Sequence, residues 1–113
     1  MEQTEFLNKH VFKGLKGINQ KGETDESSFF SEEDFAVVLE RAEYFGIGIY
    51  SIETRLKGEQ FEQAKHEEHK KKATDPKWYS KAFLTLRKRQ AGLSYSATYK
   101  VSSKLLAKEI KEE

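Results

Sequence analysis

Apolar positions in this chain follow two rhythms that alternate along it. Phe35, Val38, Leu39, Ala42 and Phe45 recur at i, i+3, i+4, i+7 and i+10, one stripe along a helix over residues 32–45. Ser31 stands where the cap belongs, its hydroxyl placed to accept from the amide of Asp34. Glu32, Glu33 and Asp34 set negative charge against the positive end of the helix. Phe30 before the cap and Phe35 at the fourth helical position have the spacing of a hydrophobic staple. Gly46 then offers the backbone freedom that ends a helix.

A strand follows over residues 47–55. Ile47 and Ile49 point one way, and Tyr50, Ile52 and Leu56 the other, which predicts a strand covered on both faces. The helical rhythm returns after Asp75-Pro76, a cap followed by proline in the first turn, with Tyr79, Ala82, Phe83 and Leu86 as the stripe of a helix over 75–91. Arg87, Lys88 and Arg89 complement its negative end, and Gly92 stops it. Strict alternation then sets Leu93, Tyr95, Ala97, Tyr99 and Val101 against Ser94, Ser96, Thr98 and Lys100, a half-buried strand over 93–101. Ser102 or Ser103 caps a last helix over 103–111 that carries Leu105, Leu106 and Ile110.

Three stretches are less regular. Phe6, Leu7, His10 and Val11 predict a short amphipathic helix within residues 3–13, while "HVFKGLKGI" at 10–18 is the other place where a strand fits. Residues 19–29 read as loop. In 57–74 the apolar content falls to Phe61, Ala64 and Ala73, and "KHEEHKKK" from Lys65 to Lys72 is wholly ionisable. Glu67 with Lys71 and Glu68 with Lys72 have the i,i+4 order that supports a helix, so this stretch reads as an exposed charged helix or connector. The sum is a single α+β domain, a few-stranded sheet that helices must cover, because two strands alone do not hold together in water.

The pair Gly46-Ile47-Gly48 raises the question of a phosphate loop. Such loops work when a strand feeds a glycine turn that opens a helix, aiming free amides at the anion. Here the glycines follow a helix, where carbonyls point outward, so the pair reads as a helix stop.

Leu, Ile, Val and Phe make up 26 of 113 residues, enough for a core. The lack of cysteine excludes disulfides, thiolate zinc and a thiol nucleophile. No apolar run approaches the ~20 residues a membrane span needs, and "MEQTEFLNKH" lacks the pattern of a secretory leader. A soluble cytoplasmic protein that avoids membranes is the expectation. Charge is polarised: 7 Lys/Arg face 13 Asp/Glu over residues 1–62, a net of −6, and 13 face 6 over 63–113, a net of +7.

Candidate chemistry is sparse. On a helix Glu62, His66 and His69 would share one face, and glutamate with two imidazoles is a legitimate zinc set. The histidines, however, are three apart, unlike those of zinc proteases, and lysines surround them, so the set reads as a solvated face with no metal. Acidic pairs lie at a helix start and in the charged run, His10 lies among apolar neighbours, and Glu53 is the one acid inside the first strand; no catalytic or cofactor-binding residue is assigned.

The basic half interleaves Trp78, Tyr79, Tyr95 and Tyr99 with Lys81, Arg87, Lys88, Arg89, Lys100 and Lys104, which would suit RNA or single-stranded DNA. Periodicity places Tyr95 and Tyr99 in the core instead. The expectation is a non-enzymatic protein that binds another protein or itself, with Trp78, Arg87, Lys88 and Arg89 as the candidate surface. Nucleic acid is the alternative partner, and an enzyme with an unrecognised site is the second alternative.

Overall fold

The chain runs α1 (Gln3–Phe6), a wider π turn (Leu7–Val11), α2 (Glu32–Phe45), β1 (Gly48–Leu56), β2 (Glu59–Lys65), a 3-10 turn (His66–His69), α3 (Pro76–Arg89), β3 (Ser94–Lys100) and α4 (Ser103–Lys111). This order comes from a computed structural model that describes residues 2–15 and 28–111, with side chains described to Ala107. The strands pair antiparallel in the order β2-β1-β3. Helices α2 and α3 pack together on one face of that sheet, an α+β architecture.

The helix ends form as their residues dictate. Ser31 Oγ accepts from the Asp34 amide at 3.2 Å, and Asp75 Oδ1 accepts from the Lys77 amide at 2.9 Å, with Pro76 in the first turn. Gly46 takes up a left-handed φ of 69°, which lets the Ile47 amide reach back to the Ala42 carbonyl at 2.9 Å. Gly46 is the helix stop, and Gly48 opens β1. The Leu105 amide donates to Ser102 Oγ at 3.3 Å, so Ser102 is the cap of α4, whose Leu105 and Leu106 are half-buried against the core. The side chain of Ile110 lies outside the described residues, as do residues 19–27 of the predicted loop and 16–18 of the alternative strand.

The stretch 57–74 departs from its prediction. It holds a third strand, β2, and a 3-10 turn, where a charged helix or connector was expected. Lys57 and Gly58 both have positive φ, 52° and 85°, as a two-residue hairpin turn of the mirror type requires. β2 is an edge strand with one half-buried side, so Phe61 and Ala64 are all the apolar signal it needs.

Two bulges shape the sheet. In β1 the register slips at Tyr50, so Ile49 opposite Tyr99 and Ile52 opposite Ala97 share the core face. The isoleucines expected on opposite faces therefore lie on one, and Tyr50 swings outward. In β2 the two residues Phe61 and Glu62 oppose Thr54 alone. The buried Thr54 hydroxyl fills the gap, donating to the Glu62 carbonyl at 2.8 Å and accepting from the Glu62 amide at 2.9 Å.

The opening helix has its own logic. Phe6, Leu7, Val11 and Phe12 are all buried, and Phe6–Val11 and Leu7–Phe12 are each five apart. Residues five apart diverge by about 140° on an α-helix. The π turn closes that angle: the Phe12 amide donates to the Leu7 carbonyl at 2.7 Å. Arg41 Nη1 then takes up the free carbonyls of Val11 and Lys13 at 2.8 and 2.7 Å. Among the described residues no helix is long and apolar enough to cross a membrane.

Candidate interaction surface

Of the four residues expected on the exterior of α3, Trp78 is not there. It is 1% exposed, with the rings of His66 and His69 at 6.2 and 5.6 Å and Tyr79 edge-on at 6.1 Å. The stripe of Tyr79, Ala82, Phe83 and Leu86 is buried as its spacing predicts, and Trp78 widens that face by one position. Arg87, Lys88 and Arg89 are exposed as expected. Arg87 lies 3.2 Å from Glu32 and over the Phe83 ring, and Arg89 holds Glu62.

Glu62, His66 and His69 do not form one helical face. Glu62 sits in β2 with both carboxylate oxygens on Arg89 Nη1, at 2.7 and 2.8 Å. His66 Nδ1 donates to the Lys71 carbonyl at 2.7 Å, and His69 packs on Trp78. The expected Glu68–Lys72 pairing gives way to a cap, with Glu68 Oε1 accepting from the Lys65 amide at 2.9 Å. Glu53 is exposed on the sheet, and His10 packs its ring between Phe6 and Phe45 at 4.7 and 5.4 Å.

The aromatic residues of the basic half are interior. Tyr79, Tyr95 and Tyr99 are 5% exposed or less, and Tyr95 stacks on Phe35 at 5.4 Å with Phe83 edge-on at 5.0 Å. Burial pushes the hydroxyls of Tyr79 and Tyr95 each up to about 12, the nearby carboxylates of Glu43 and Asp75 adding for Tyr79 and that of Glu32 for Tyr95. Neither hydroxyl has a hydrogen-bond partner among the described residues.

The surface the sequence did not single out lies between the two long helices. Ala36, Leu39, Glu40 and Glu43 of α2 and Ser80, Phe83 and Leu84 of α3 line an open groove of about 300 Å³. Its floor is apolar, and Leu84 is 50% exposed. The signal was present: Leu84 stands off the buried stripe of α3, and Ala36 stands off that of α2. The salt bridge from Arg87 in the last turn of α3 to Glu32 in the first turn of α2 sets the helices antiparallel. The two charged halves of the sequence thus meet here, an acidic helix beside a basic one. No family model, curated protein or solved structure matches this chain.

Proposed function

We propose that this protein is a non-enzymatic binding module whose partner is another protein, engaged across the outer face of α2 and α3. The observation that carries the reading is the groove. It exposes Leu84 over an apolar floor, with the carboxylates of Glu40 and Glu43 on one wall. An exposed leucine in a concave apolar strip flanked by charge is the composition of a protein-binding site. Lys88 extends that face at the end where Arg87 and Arg89 are held by Glu32 and Glu62. A chain without cysteine fits a reducing compartment, and the cytoplasm is the proposed setting.

Nucleic acid is the weaker reading. The flat side chains of the basic half that would stack on bases, Trp78, Tyr79, Tyr95 and Tyr99, are buried, and the exposed tyrosines, Tyr44 and Tyr50, lie in the acidic half of the sequence. An enzymatic reading has less to rest on, since Glu53 lies exposed on β1 while His10 packs between Phe6 and Phe45 on a separate element.

Amide chemical-shift mapping separates the readings. A short amphipathic leucine–lysine peptide should shift Ala36, Leu39, Glu40, Phe83 and Leu84 saturably, and Leu84→Asp should abolish the effect. Random RNA should give no saturable shifts. Saturable binding of RNA with an unresponsive groove would sink the proposal.

A further inference from the structure

The outer face of the helix pair carries two rows of opposite charge. On α2, Glu33, Ala36, Glu40 and Glu43 recur at i, i+3, i+7 and i+10, and all four are exposed. On α3, Lys77, Lys81, Leu84 and Lys88 recur at i, i+4, i+7 and i+11, again all exposed. Three carboxylates therefore flank one side of the apolar strip and three ammonium groups the other. None of the six enters an ion pair among the described residues.

The rows are also level with each other. Counting along both antiparallel helices from the Glu32–Arg87 bridge, Glu33 falls beside Lys88, Glu40 beside Lys81 and Glu43 beside Lys77. Each match is within two residues, about 3 Å at the rise of a helix.

We infer that the partner is a second copy of this chain, an inference that rests on the reading of this face as the binding surface. Two such faces can meet about a two-fold axis lying between them. An axis across the helices sets α2 on α2 and acid on acid. An axis along the helices sets α2 of one copy on α3 of the other, keeps every residue at its own level, and lays each carboxylate row on a lysine row. Leu84 and Ala36 of both copies close the seam. Isologous pairing uses one patch twice, so each charge match counts twice.

Sedimentation of the full chain over a concentration series should show a monomer–dimer equilibrium that weakens as salt rises. Two variants test the geometry, Glu40→Lys with Glu43→Lys, and Lys77→Glu with Lys81→Glu. Both place charge favourably for the helix ends they approach, so the fold should hold, which circular dichroism checks. Each alone should lose at least about tenfold in self-association, and the equimolar mixture should recover it as a heterodimer. A chain that stays monomeric at every concentration and salt overturns the inference, and so does a dimer that ignores both reversals. Titration with the leucine–lysine peptide separates that failure from failure of the binding face: a monomer whose groove still takes the peptide keeps the face and loses the self-pairing.

Discussion

Glu62 and Arg89 hold one another across the end of the molecule, one guanidinium nitrogen serving both carboxylate oxygens at 2.7 and 2.8 Å. The sequence offers these residues to different tasks, Glu62 to a metal and Arg89 to a partner. The hairpin brings them together because β2 runs back past the last turn of α3. Both side chains are partly open to water, Glu62 at 36% and Arg89 at 57%, so screening keeps the bond weak. Arg89→Ala should cost less than about 1 kcal/mol in thermal denaturation, and the loss should shrink at high salt.

Thr54→Val should cost more, although it changes only one group. The hydroxyl pairs with both the amide and the carbonyl of Glu62 at the bulge. An isosteric methyl leaves both unpaired, at about 1–3 kcal/mol. Thr54→Ser should recover most of that in urea titrations, which separates the hydrogen bonds from packing.

Tyr95→Phe and Tyr79→Phe should be neutral or stabilising, because each removes a buried hydroxyl with no partner among the described residues. The hydroxyls also make stability depend on alkaline pH. Their ionisation is raised from 10.0 to about 12, chiefly by burial, so the neutral form is favoured in the folded state. The preference for the neutral form is fully present below pH 10 and is lost as pH climbs from 10 to 12. The double phenylalanine variant should unfold at a higher pH than the unaltered chain, followed by circular dichroism.

Trp78→Ala should destabilise by about 3–5 kcal/mol, since a large ring buried to 1% exposure leaves a cavity. Lys88→Ala should stay within about 0.5 kcal/mol. Equal losses at the two positions in guanidinium titrations would contradict the burial described here.

The parts of this fold that the sequence announces are those where one residue type does one local job. Ser31, Gly46 and Asp75-Pro76 mark helix ends because capping is settled within four residues, and β3 shows because one of its faces is wholly apolar. β2 stays hidden because an edge strand needs little burial and its turn uses lysine before glycine, where asparagine is the usual sign. The π turn and the slip at Tyr50 are invisible for a related reason: both shift the phase of a pattern in response to what packs above it. The groove escaped because a binding face is defined by two helices at once, and Leu84 and Ala36 look like stray apolar residues until α2 and α3 lie side by side.

Gln3 ties the opening helix to the last strand: its Nε2 donates to the Tyr99 carbonyl at 3.0 Å and its Oε1 accepts from the Val101 amide at 2.9 Å. During synthesis the segment therefore docks in two stages: Phe45 and Arg41 of α2 are soon available to Phe6 and to the carbonyls of Val11 and Lys13, whereas the partners of Gln3 lie nearly a hundred positions further along. Until β3 forms, Phe12 lacks the Tyr99 ring that it meets edge-on at 5.6 Å, and part of its apolar surface stays open to the contacts that incomplete chains make. Closure of this molecule is a late event in its birth, and a chain halted before Ser94 could not complete it.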